Sequence, residues 1–146
     1  MINPIRRSLL AALACTAALA FATPSMAAMV NMKADLKASN EVPPNDSKGT
    51  GAVTVTYDTG SKMLSWKGTY SGLSGPATAA HFHAGAPGKN GGVVVPIFAG
   101  PAAKSPFSGS KALTAEQAAA LESGGWYVNI HTAKNKGGEI RGQVTK

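Results

Sequence analysis

The sequence predicts an all-β fold: an antiparallel, Greek-key-like sandwich or barrel of about seven to eight strands with one short helix. Three observations carry this expectation. From Val30 onward, apolar and polar residues alternate with the two-residue period of a half-buried strand. Clusters of Gly, Pro, Asn and Asp interrupt the alternation at short intervals, as turns do. Only "LTAEQAAALESGG" breaks the rhythm with a helical signature. Short strands separated by turn signals are the pattern of an antiparallel sandwich or barrel.

The elements follow in order. In "VNMKADLKA", Val30, Met32, Ala34 and Leu36 share one side and Asn31, Lys33, Asp35 and Lys37 the other. "EVPPNDSKGTG" then stops the strand with two prolines, an Asn-Asp pair and glycines. "AVTVTYD" sets Val53, Val55 and Tyr57 against Thr54 and Thr56; "TGSK" reads as a hairpin turn into "MLSWKGTY", where Leu64, Trp66 and Tyr70 are in phase. "ATAAHFHA" and "GGVVVPIF" flank the glycine-rich "GAPGKNGG". Thr114 with Gln117 three residues on has capping-box spacing, and Gly124 is placed to stop a helix running from about Ala115 to Ser123. "WYVNIHT" and "GEIRGQVT", joined by "AKNKG", complete the chain.

The first 27 residues have the order of an export signal: basic Arg6 and Arg7, an apolar run from Leu9 to Ala22, and small Ser25 and Ala27 before an expected cleavage at Ala28. Residues 28–146 then form one domain, expected in the periplasm or outside the cell. No other segment is apolar enough to span a bilayer. The single cysteine, Cys15, falls in the signal, so the mature domain has no disulfide, no thiolate nucleophile and no thiolate ligand. Loss of Arg6 and Arg7 takes the formal charge from +7 to +5, carried by scattered lysines with Arg141 as the one arginine. That is not the clustered basic stripe of a nucleic-acid binder. It suits solubility, or weak attraction to anionic envelope polymers.

Strand phase locates the chemistry. Phe82 marks the core side of "ATAAHFHA", so His81 and His83 face away together. Trp126, Val128 and Ile130 oppose Tyr127, Asn129 and His131; Ile140 and Val144 oppose Glu139, Arg141 and Gln143. Every histidine is thus expected off the core side, beside the mature domain's one arginine and one of its few carboxylates.

"EVPP", "AHFHAGAPGKNGGVVVPIF", "LTAEQAAALESGGWYVNIHT" and "GGEIRGQV", in this order, resemble the chordin-type (CHRD) domain family over about Lys33 to Thr145. The resemblance implies a secreted or envelope-located all-β domain. In animals such domains are repeated in an extracellular antagonist of growth-factor signalling; in bacteria they often stand alone behind a signal peptide. It brings no settled biochemical activity, so function has to come from the site.

Three readings of the histidines stay open. An H-x-H pair projects two imidazoles the same way from points roughly 7 Å apart along a strand. With His131 it makes a three-nitrogen set suited to copper(II) or zinc, with an open fourth place, and Glu139 as a fourth ligand or as an acceptor that orients a ring. Arg141, Asn129 and Tyr127 surround that set. Alternatively the rings are struts in a metal-free hydrogen-bond network of an interaction module that binds a protein or an envelope polymer. The third reading is a copper redox enzyme, because H-x-H plus a later histidine is similar to part of the copper set of copper–zinc superoxide dismutases; the fourth copper histidine and the zinc-ligand segment have no counterpart. Met29 and Met32 lie on opposite strand phases and read as ordinary residues. "GAPGKNGG" lacks the order of a phosphate-binding loop, no G-x-S-x-G marks a hydrolase, and the acids form no specific pair.

Overall fold

A computed structural model describes residues 26–146. The expected export segment therefore lies outside the described residues except for Met26 and Ala27. Eight strands form one antiparallel sheet: β1 (Met29–Lys37), β2 (Thr50–Asp58), β3 (Met63–Ser71), β4 (Ala77–Ala84), β5 (Val93–Ala99), β6 (Phe107–Ala112), β7 (Trp126–Thr132) and β8 (Ile140–Gln143). Among the described residues one α-helix, α1 (Ala115–Glu122), precedes β7. The strand order is β5-β4-β7-β8-β1-β2-β3-β6. The two ends of that order approach each other, with the Phe98 and Phe107 rings 5.2 Å apart edge to face, so the sheet is a nearly closed barrel. The steps from β3 to β4 and from β6 to β7 each skip neighbouring strands, which gives the expected Greek-key character.

The predicted alternation is realised in the register. Met32 pairs with Val55 and Ala34 with Val53, and all four are buried. Trp66, Phe82 and Trp126 fill the middle of the barrel, with Phe82 5.3 Å from Trp66 and 5.9 Å from Trp126. Burying a side chain of the Val, Leu or Phe class stabilises the fold by roughly 1.5–3 kcal/mol. The helix begins at the predicted cap: Thr114 Oγ1 accepts from Gln117 N–H, and Gln117 Oε1 accepts from Thr114 N–H. Ala118 and Leu121 turn to the core.

Strand β6 was not expected from the sequence. "FSGSKA" is an edge strand and is mostly exposed, so it carries almost no apolar alternation. What places it is its partner. Gly109 lies opposite Trp66, and a Cβ there would sit 2.5 Å from the indole ring.

Both faces of β4 and β7 are covered. Their inner face packs in the barrel, while loops 38–48 and 85–92 lie over the outer face that carries the histidines. Arg141 is 2% exposed and Glu139 0%, although neither belongs to the apolar core. The domain therefore has a second buried layer made of polar groups.

Candidate metal centre

Neighbouring strands assemble the site. On β4 and β7, His81 pairs with Asn129 and His83 with Tyr127; on β7 and β8, Asn129 pairs with Arg141 and Tyr127 with Gln143. His131 is opposite Ala79, one step along β4 from the H-x-H pair. Because alternate residues share a face, these pairings bring all three histidines to one patch. The His81 ring centroid is 5.0 Å from that of His131 and 5.6 Å from that of His83, and His83 and His131 are 6.0 Å apart. One ring nitrogen from each histidine lies within 4.8 Å of the other two.

Backbone carbonyls decide which nitrogens are free. His83 Nδ1 lies 3.0 Å from Gly91 O, and His131 Nδ1 lies 3.0 Å from Lys136 O. A carbonyl oxygen only accepts, so both Nδ1 atoms carry the proton and both Nε2 atoms keep a lone pair. His131 Nε2 meets His81 Nδ1 at 3.2 Å. Two nitrogens bound to one tetrahedral ion at about 2.0–2.1 Å would themselves be about 3.3 Å apart. His83 Nε2 is buried and has no hydrogen-bond partner. A buried polar atom left without a partner costs about 1–3 kcal/mol, which a bound cation would offset. His81 Nδ1 and His131 Nε2 already stand at the spacing of two bound nitrogens; with His83 Nε2 drawn in from within 4.8 Å, and the His81 proton moved to Nε2, the three could hold one ion.

The electrostatics favour the form that coordinates. All three rings are held below the ordinary histidine value of 6.5, in each case mainly by burial. His131 and His83 push His81 lower, and Arg141 pushes His83 lower; the carbonyls at Gly91 and Lys136 oppose the shift on His83 and His131. Neutral imidazoles at neutral pH are the species a metal needs.

Tyr127 and Arg141 lie where strand phase put them. Tyr127 stacks on His83 with centroids 4.9 Å apart, and the Arg141 guanidinium carbon sits 3.5 Å from the centre of the Tyr127 ring. Arg141 holds the glycine-rich loop from below, donating from Nη2 to Lys89 O (2.7 Å) and from Nη1 to Asn90 Oδ1 (2.9 Å). Asn90 in turn donates to Val42 O, and the Tyr127 hydroxyl accepts from Gly91 N–H. Gly91 has to be glycine, since a Cβ would lie 1.5 Å from Ala84 O. "GAPGKNGG" is thus the cover of the histidine patch, fastened by hydrogen bonds.

Glu139 is the correction. Expected beside a histidine ring, it instead accepts from Ser74 N–H and from the side chains of Ser47, Ser74, Thr132 and Asn135. The cause is local. Ile130 pairs with Ile140, yet Glu139 N–H also bonds Ile130 O, so two residues oppose one in a bulge-like step. That step turns Glu139 toward Thr132, at the end of the barrel. Burial alone would raise its carboxyl, but the four side chains outweigh this and hold it at about 2. The acid that does reach the polar layer is Glu41, whose Oε1 accepts from Asn129 Nδ2 at 2.6 Å. Burial pushes Glu41 up to about 7, against the lowering effects of Asn129 and Arg141. It sits in the quoted "EVPP", but strand phase says nothing of a residue in a loop. Met32 is buried in the core and Met29 is exposed, so neither methionine joins the site.

No curated protein and no solved structure matches this chain. A profile of the CHRD domain matches residues 32–144, most of the chain. The chain belongs to the CHRD domain family.

Proposed function

We propose that the protein is an exported, non-catalytic binding protein whose CHRD domain holds one copper or zinc ion through His81, His83 and His131. The observation that carries this reading is the buried, unpartnered Nε2 of His83 facing two further imidazoles. A hydrogen-bonded strut has no need of that orphan lone pair; a ligand does. Coordination is reversible and competes with protons. Because burial holds the rings below 6.5, affinity is retained at neutral pH and falls as pH drops below that value. Export rests on the order of residues 1–27 alone.

The metal-free interaction module, in which a protein or an envelope polymer is the partner, has its own support: His83 and His131 each bond a loop carbonyl. His81 separates the two readings, because its one side-chain hydrogen bond is to His131. Copper and zinc titrations by calorimetry would compare wild type with His81→Ala and with the His81/His83/His131 triple alanine variant. The expected result is one ion per wild-type chain, at least tenfold weaker binding in His81→Ala with an unchanged melting temperature, and no specific binding in the triple variant. Equal uptake by all three proteins would reject the metal reading.

A further inference from the structure

The ligand set described above leaves an ion unusually short of negative charge. All three donors are neutral imidazoles, and among the described residues no fourth His, Cys, Asp or Glu joins the group. Neither nearby acid is free to join: Glu139, at the end of the barrel, is engaged by four side chains, and Glu41, in the polar layer, by Asn129. Arg141, stacked against the Tyr127 ring that itself stacks on His83, adds a further positive charge behind the site. Arg141 is in no ion-pair contact among the described residues, where Lys33–Asp35 is the pair found. A divalent ion here keeps its whole +2 charge, and the field behind it has the same sign.

The geometry also leaves a way in. His83 is buried under Gly91, but His81 and His131 are only half-buried, so the free side of the ion would face solvent past those two rings. Three protein ligands with one side open is the arrangement of an exchangeable position, in contrast to a sealed four-ligand structural site.

We infer that the fourth coordination position takes a small monodentate anion from solvent. This rests on the metal reading and extends it. The anion supplies the negative charge that the protein withholds, and its size is limited by the rim formed by His81 and His131.

Copper(II)-loaded wild-type protein titrated with sodium azide tests this. The expected result is a saturable azide-to-copper charge-transfer band in the near ultraviolet, at one azide per copper, with a matching change in the copper hyperfine splitting by electron paramagnetic resonance. Copper bound at one per chain with both spectra unmoved by azide would overturn the inference and leave the metal reading standing. Failure to bind copper or zinc at all would overturn both, and is visible before azide is added. The same azide addition to the His81/His83/His131 triple alanine variant serves as the control for copper outside the site, and a wild-type response no different from that control also overturns the inference.

Discussion

The inner face of β4 and β7 is closed to water and the outer face is covered by loops except at the half-buried His81 and His131, and the two are built by different rules. On the inner face Phe82, Trp126, Val128 and Ile130 are fully buried, and their stabilisation comes from apolar area and close packing. On the outer face His83, Tyr127 and Asn129 are buried beneath two loops, and each polar atom has to find a partner there. Packing against the inner face needs only shape and volume. The outer layer needs directional bonds from distant parts of the chain: Arg141 to Lys89 and Asn90, Asn90 to Val42, Asn129 to Glu41. A polar layer can therefore leave selected atoms unpaired, as His83 Nε2 is, and an unpaired atom is what a ligand can use. The apolar layer's own unpaired polar atoms, the indole nitrogens of Trp66 and Trp126, are N–H donors with no lone pair to offer a cation.

The strongest test of the contrast is Phe82→Ala. Removing a ring packed against Trp66 and Trp126 is expected to cost about 3–5 kcal/mol in denaturant unfolding. Copper or zinc stoichiometry should persist wherever the variant stays folded. A loss of metal binding from the folded variant would show that the two faces are not separable.

Next in size is Glu139→Gln. It takes the ionised acceptor away from Ser47, Ser74, Thr132 and Asn135 and is expected to cost roughly 2–3 kcal/mol at neutral pH. The pH dependence has a definite sign. Glu139 is held at about 2, below its ordinary 4.5, so its contribution is present above 4.5 and is lost as pH falls toward 2. The variant should lack that part of the acid transition; an unchanged acid limb would contradict the cradle.

Smallest is Glu41→Gln, which keeps an acceptor for Asn129 while removing the charge. Glu41 is raised to about 7, so its contribution is full below 4.5 and is lost as pH rises through 7. Relative to wild type, the variant should gain on the order of 1–2 kcal/mol between pH 5 and pH 8. A constant difference across that range would mean that Glu41 is better solvated than its burial implies. The two glutamates thus differ in how their charge is met: Glu139, at the end of the barrel, by four side chains, and Glu41, in the polar layer, by one amide hydrogen bond and the more distant Arg141.

Much of this architecture could be read from particular residues. Seven of the eight strands, the Thr114–Gln117 cap and the identity of the core face followed from alternation and turn chemistry. So did the placing of His81, His83, Tyr127, Asn129, His131 and Arg141 off the core side. Strand β6 was hidden because an exposed edge strand carries no period. Glu139 was misplaced because a two-against-one step at the start of β8 changes the direction in which its side chain points, and Glu41 was missed because it enters from a loop.

Side-chain direction along a strand follows from the pleat of the backbone, a property of a few consecutive residues, so the sequence alone determined which residues turn inward and which turn out. Whether outward residues meet is a matter of strand order and register. Placing β7 beside β4 and β8 beside β7 brings together residues 50 and more positions apart. Only the nearly closed barrel, with its loops fastened across it, could decide that three separate imidazoles share one patch, because that depends on contacts whose partners are distant in the chain.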